Sequence, residues 1–285
     1  MSVSSVLIVG CGDIGSRVAR LLIACQYRVY GVRRTLSDLP EGVLGVAADV
    51  STAALPTTWP QEPLDYVVYC VAASQHDEAG YRAAYVEGVR NTLAWLQASG
   101  QHPKRLFFVS SSGVYGQQSG EWVDEQSPTE PSSYTGQLML EAERLAQGSE
   151  IPATVVRLTG IYGPGRERMI EQVKKGCQAA AGGSVYGNRI HADDAAGLLA
   201  FLIQADATGA ALEPCYIGVD DCPATLAELI DWLRGYLQIS HTSDQAAMRR
   251  TGSKRCSNAR ARALGWAPQY PSFREGYAAL LNGRG

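Results

Sequence analysis

Val9-Gly10-Cys11-Gly12-Asp13-Ile14-Gly15 is the stretch that decides the fold. The run Val6-Leu7-Ile8-Val9 that leads into it is continuous, apolar and largely β-branched, which reads as a buried strand. Behind it, Gly15 to Cys25 places Val18, Leu21 and Leu22 on one face, which reads as a helix. A G-x-G-x-x-G between a strand and a helix builds an anion site. Gly10 permits the tight turn, Gly12 lets the backbone approach a pyrophosphate, and Gly15 lets the helix pack on the sheet. Asp13 and Ile14 fall in the first helical turn, whose N–H groups and positive dipole end face the phosphates. The plainer reading is a set of turn glycines with no ligand.

Outward from this loop, short β-branched runs alternate with helical patterns. Strands are expected at 28–32, 43–46, 66–71, 106–109 and 153–158, with helices at 79–98 and 133–147. Apolar strands separated by helices predict a parallel sheet covered on both faces. The expected class is therefore α/β, a Rossmann-type doubly wound sheet. After Gly165 the rhythm weakens: 168–181, 192–204 and 224–237 look helical, and the Ala/Gly stretch 179–183 looks like a loop. The division expected is a dinucleotide-binding domain over 1–160 and, over 161–285, mostly a smaller substrate lobe with crossovers back to the sheet.

Composition bounds the rest. The chain has 285 residues, enough to bury about three quarters of its unfolded surface without a disulfide or metal staple. With 46% hydrophobic and 19% charged residues it is neither disordered nor a coiled coil. A net charge of −3 gives no basic footprint for nucleic acid or an anionic membrane, and no apolar run is long enough to span a bilayer. The seven cysteines include no C-x-x-C pair, so reduced thiols are expected. No signal peptide is expected ahead of the first strand, and the expected location is cytoplasmic. The expected partner is a small-molecule substrate, with a homodimer allowed for and no metal site.

A dinucleotide site usually carries an acid at the end of its second strand, for the ribose 2′-OH. Here that end reads Val32-Arg33-Arg34-Thr35, and Arg accommodates a 2′-phosphate. NADP is therefore expected ahead of NAD. A solvated basic pair is the alternative.

Several further segments, taken in order, resemble the extended short-chain dehydrogenase/reductases, the NAD-dependent epimerase/dehydratases. Ala48-Asp49-Val50 resembles that family's adenine-side Asp, and Cys70-Val-Ala72-Ala73 the segment passing the pyrophosphate and ribose. Tyr85-Val-Glu-Gly-Val-Arg-Asn91 is similar to its following helix, and Val109-Ser-Ser-Ser-Gly-Val-Tyr-Gly116 to the stretch with the catalytic Ser or Thr. Arg157-Leu-Thr-Gly-Ile-Tyr-Gly-Pro164 resembles the entry to the substrate lobe, and Ile190-His-Ala-Asp-Asp194 that lobe's signature. Ser257-Asn-Ala-Arg260 and Leu264-Gly-Trp266 resemble the C-terminal segment. The resemblance implies an oxidoreductase or epimerase/dehydratase acting on a hydroxylated substrate, nucleotide sugars among them.

The departures matter equally. Val9 stands where the family usually has its first glycine, and Gly160 where an Asn commonly contacts nucleotide sugars. The Y-x-x-x-K pair is broken: Tyr134 is followed four residues on by Leu138, and aligning Ala142-Glu143 instead puts Thr135 and Met139 in the two places. In typical members the Lys ammonium and the nicotinamide lower the tyrosine's pKa from about 10 toward 7, roughly 4 kcal/mol of field. Without it Tyr134 could donate a proton but would be a poor base. Ser111 takes the place of the hydroxyl that orients the reacting oxygen, with Ser112 as runner-up. The expectation is weak turnover rising with pH, or a non-catalytic NAD(P)-binding sensor or interaction protein. Arg157, Arg166, Tyr162 and His191 are the candidate substrate contacts. Arg157 is also readable as an ion-pair partner, and His191 as a hydrogen-bonded structural histidine.

Overall fold

The computed structural model describes residues 3–178, 185–243 and 252–283. Its centre is a seven-stranded sheet whose strands are β1 (Ser5–Val9), β2 (Arg28–Arg33), β3 (Leu44–Ala47), β4 (Tyr66–Tyr69), β5 (Arg105–Ser111), β6 (Ala153–Leu158) and β7 (Cys215–Gly218). Their spatial order is β7-β6-β5-β4-β1-β2-β3, and β1 pairs in parallel with β2 on one side and β4 on the other. The chain winds outward from β1 to β3 and then returns to the far side of β1 as β4. That reversal is the switch point of a doubly wound sheet, where ligands lie beyond the carboxyl ends of the strands.

All five residues of β1 and all four of β4 are buried, as a strand covered on both faces requires. Tyr69 stacks on Phe108 at 5.8 Å, and Tyr66 leans on Phe107 at 6.2 Å. Helix α1 (Asp13–Ala24) buries Ile14, Val18, Ala19 and Leu22; of the face expected from the sequence Val18 and Leu22 are buried, whereas Leu21 is 40% exposed.

The expected run at 79–98 is helical throughout but has three parts: α2 (Glu78–Tyr81), a π-helical turn (Arg82–Glu87) and α3 (Gly88–Ala98). Helix α4 (Tyr134–Gln147) starts where expected, capped by the Ser133 hydroxyl on the Gly136 N–H. Two expectations change. The strand expected at 66–71 ends at Tyr69, because the backbone of Cys70 and Val71 turns against Gly10. The seventh strand, β7, was not expected, since a four-residue Cys-Tyr-Ile-Gly run carries too little pattern to stand out.

Further on, α5 is Arg168–Lys174 and ends before Gly176, whose φ of +85° breaks the helix. Helix α6 is Ala192–Ala207, and α7 (Leu226–Tyr236) opens on a capping box between Thr225 and Glu228. The loop expected at 179–183 lies outside the described residues. The last helices are α8 (Ala259–Leu264) and α9 (Phe273–Leu281).

The chain forms two compact units that interleave in sequence. One comprises 1–114, 129–157 and 196–216, and the other 115–128, 158–195 and 217–285. The second unit has its own core, in which α5 and α7 bury Ile170, Val173, Leu229 and Leu233 with Phe273 and Tyr277 of α9.

Candidate functional site

In the first unit, the three loop glycines have three different causes. Gly10 has φ +89°, and an ideal Cβ there would lie 2.6 Å from the Cys70 carbonyl oxygen. Gly15 packs α1 onto the loop, since a Cβ would lie 2.5 Å from the Gly10 carbonyl oxygen. Gly12 differs: its φ is negative, at −88°, and a Cβ built on it meets nothing within 4 Å. The protein's own packing therefore gives no reason for glycine at position 12, whereas a ligand lying against the loop does. No side chain caps α1 at this end, so the first-turn N–H groups of Asp13, Ile14 and Gly15 are presented beside that space. Asp13 itself bonds Arg17 at 2.9 Å, one turn along the helix. The donors and the cradle fit a pyrophosphate.

Around the loop stand the strand-end groups. Gly10 and Cys11 both donate backbone bonds of 3.1 Å to Val32, tying the loop to the end of β2. Arg33 is half-buried and pairs with Asp38 at 3.0 Å, whereas Arg34 is exposed. Asp49 follows β3 and accepts from the Ser51 N–H and hydroxyl at 2.9 and 2.7 Å, which hold its carboxyl below the usual range. The Val50 carbonyl accepts from Asn91 at 2.7 Å. Ala72 and Ala73 lie in the loop after β4, and the Ala73 backbone is bonded to the Tyr85 hydroxyl.

The second cluster of the same unit lies where β5 runs toward α4. Ser111 ends β5 and its Oγ accepts from the Gly113 N–H at 3.1 Å, a local turn that leaves the hydroxyl half-exposed. The start of α4 packs closely here: a Cβ on Gly136 would lie 2.5 Å from the Gly113 carbonyl oxygen. Tyr134 is 37% exposed, its ring meets Tyr81 edge-on at 5.8 Å, and its hydroxyl donates to the His76 carbonyl at 2.8 Å. Leu138 and Met139, which occupy the lysine's place in the two alignments, are both buried. Neither offers a charge.

Of the two readings of Arg157, the structure carries the ion pair. Its Nε and Nη2 bond the two oxygens of Glu143 at 3.0 and 2.7 Å, with both groups buried. The Ser110 hydroxyl donates to the same carboxylate. This triad joins α4 to β5 and β6, so the guanidinium is committed inside the unit and is not presented to a substrate. Sequence reasoning missed Glu143 as its partner. The available signal was an acid on the inner face of α4, which demands a buried cation.

The remaining candidates fall in the second unit. Tyr162 stacks on Tyr277 at 4.4 Å and meets His191 edge-on at 5.3 Å, and His191 leans on Tyr270 at 4.2 Å. The His191 Nδ1 accepts from the Asp193 N–H at 3.3 Å. Tyr162 and His191 are 3% and 1% exposed, which corrects their expected place at a substrate surface: they belong to an aromatic core. Arg166 is exposed, at a turn closed by its N–H on the Gly163 carbonyl. No group of three or more His, Cys, Asp or Glu side chains able to hold a metal ion occurs among the described residues.

Comparison with known proteins places this geometry. A Methylobacillus flagellatus structure assigned as an NAD-dependent epimerase/dehydratase is 38% identical, covers 99% of both chains and superposes with a TM-score of 0.81. A 3-diazoavenalumate denitrifying reductase from a Streptomyces species is 28% identical over 95% of this chain and 98% of its own. The dTDP-glucose 4,6-dehydratase DesIV of Streptomyces venezuelae, solved with NAD and TYD bound, shares the fold at 22% identity, with a TM-score of 0.77 over 98% of this chain and 96% of that one. The family model for NAD dependent epimerase/dehydratases matches residues 6–218, which contain the glycine loop, the strand ends and the β5–α4 cluster, and the chain belongs to that family.

Proposed function

We propose that this protein is an NAD(P)-dependent oxidoreductase of the epimerase/dehydratase type, acting on a hydroxylated small molecule. The carrying observation is Gly12, whose lack of a side chain nothing in the protein's own packing explains. Gly10 to Gly15 would hold the pyrophosphate, Asp49 and Val50 the adenine side, and Ala72 and Ala73 the segment toward the nicotinamide ribose. Arg34, and Arg33 if it releases Asp38, would take a 2′-phosphate, which favours NADP over NAD. When bound, the nicotinamide supplies a hydride donor or acceptor.

The chain's own part is to orient and to move a proton. Ser111 accepts its turn bond from Gly113, so its hydroxyl proton can be donated to a substrate oxygen. Tyr134 is the candidate proton donor, but its proton is directed at the His76 carbonyl, and Leu138 and Met139 stand at the two places where the resemblance implies a lysine. The binding half of the machinery is complete and the proton-transfer half is altered. Nucleotide sugars are the leading substrate class, supported by the dTDP-glucose enzyme of shared fold. The reductase among the relatives supports hydride delivery to other acceptors as well.

The same observations at Tyr134, Leu138 and Met139 favour one alternative, a protein that binds NAD(P) without turning substrate over. The deciding experiment titrates NADPH and NADH by calorimetry and then follows turnover on a nucleotide-sugar panel between pH 6 and 9. Binding with turnover lost in Ser111→Ala supports the enzyme. Binding with no turnover, and no change on Ser111→Ala, supports the alternative. No binding of either dinucleotide sinks both.

A further inference from the structure

The helix after β4 carries a feature that the cofactor reading does not use. Between α2 and α3, residues Arg82–Glu87 form a π-helical turn, in which each bond spans one residue more than in an α-helix. Such turns have identifiable causes, among them a side chain inserted into the backbone ladder. Here the side chain that meets the turn is Tyr69, the last residue of β4. Its hydroxyl donates to the Ala84 carbonyl inside the turn. One turn on, Gly88 completes the fit: an ideal Cβ there would overlap the Tyr69 hydroxyl. Tyr69 is 1% exposed, and burial keeps its hydroxyl protonated and therefore a donor.

The consequence lies on the N-terminal side of the turn. Tyr81 and Tyr85 are 5.4 Å apart and both face the loop that follows Tyr69. Tyr81 contacts the His76 ring at 6.5 Å and the Tyr134 ring at 5.8 Å, while Tyr85 is bonded to the Ala73 backbone. An ideal Cβ built on Gly80 would lie 2.6 Å from the Gln75 Cβ of that loop, and the Asp77 carboxylate caps α2 by accepting from the Gly80 N–H at 2.8 Å. The loop's other end, Cys70, is the backbone that Gly10 approaches. Closing the π turn to an α turn would rotate α2 by about 100° about its axis relative to α3. Tyr81 and Tyr85 would leave the loop.

We infer that Tyr69 is a positioning residue: through the π turn it sets Tyr81 and Tyr85 against the Cys70–Asp77 loop and so fixes the wall of the dinucleotide site next to Gly10. The link to the cofactor rests on the function proposed above, whereas the link to the loop does not. Two variants separate them, Tyr69→Phe and Tyr69→Phe with Gly88→Ala, whose new methyl group fills the space the hydroxyl leaves. Backbone hydrogen exchange at short times, read over 70–77 and 88–98, tests the loop; calorimetry with NADPH tests the site.

Both variants should exchange faster over 70–77 by roughly three- to tenfold, the value of one lost hydrogen bond, with 88–98 unchanged. NADPH affinity should fall by a similar factor. The double variant should recover thermal stability without recovering loop protection, which a general packing defect would not do. Exchange over 70–77 unchanged in both variants would overturn the inference. Wild type that binds no dinucleotide would overturn the cofactor reading alone, and the exchange result would still decide the role of Tyr69.

Discussion

The glycine loop and the start of α4 belong to one compact unit, yet they have fared differently. In the loop, three glycines have separate tasks, although Val9 stands at the place of the family's first: Gly10 turns, Gly15 packs, and Gly12 leaves room. At the start of α4 the geometry also survives, in the Ser133 cap, the close Gly136–Gly113 approach and the Ser110–Glu143–Arg157 triad. What is missing there is the charge. Leu138 and Met139, the two positions at which the sequence resemblance implies a lysine, are packed into the interior. Backbone form and charge rest on different residues, so within one unit the first can be in place where the second is not.

The largest expected effect tests the frame. Arg157→Ala leaves the Glu143 carboxylate buried without its guanidinium and should cost about 3–5 kcal/mol of stability by denaturant titration. Replacing Arg157 by Met and Glu143 by Leu together should restore most of that loss. A single variant as stable as wild type would mean that the triad does not anchor α4.

The loop offers a sharper contrast. Gly12→Val should cost less stability than Gly15→Ala, because its Cβ meets nothing within 4 Å, and should lower dinucleotide affinity at least a hundredfold, about 3 kcal/mol. Gly15→Ala should do the reverse, losing stability as its Cβ meets the Gly10 carbonyl. Equal loss of stability in both would erase the distinction between packing glycine and ligand glycine.

Between NADPH and NADH the expected preference is ten- to a hundredfold, from charge-assisted contacts worth about 1.5–3 kcal/mol. Arg34→Ala should remove most of it, since Arg34 is exposed while Arg33 is held by Asp38. Calorimetry at a fixed moderate salt reads this directly, and a preference untouched in both Arg33→Ala and Arg34→Ala would rule out these side chains as its source.

The smallest effect concerns Tyr134. Tyr134→Phe removes one half-exposed bond to the His76 carbonyl and should cost about 0.5–1.5 kcal/mol of stability. If its proton is committed to that carbonyl, any turnover should change less than about threefold. Turnover abolished by this change would show that Tyr134 is the proton donor despite its bond to the His76 carbonyl, and a flat pH profile near 7 alongside it would show that another cation serves the tyrosine.

Most of the sheet was legible before the structure, and the reason is local. A strand, a glycine turn and a helix are encoded by neighbours in sequence, so Val6–Val9, Gly10–Gly15 and the helix that follows could be read in one pass, although Leu21, expected on its inner face, is exposed. The same holds for the breaks: the absent lysine at 138 or 139 and the arginines at 33 and 34 are visible without coordinates.

Other features depend on partners far along the chain, and these only the tertiary structure decided. Arg157 finds Glu143, the Tyr134 hydroxyl finds the His76 carbonyl 58 residues away, and His191 and Tyr162 close into a core with Tyr270 and Tyr277. The π turn looks in sequence like any stretch of helix, because the Tyr69 hydroxyl that bonds into it comes from a strand distant from it in the chain. Spacing along the chain determines backbone form, where each choice is made within a few residues. Which side chains are spent on one another and which are left for a ligand is set by packing between distant segments, and no local pattern records it.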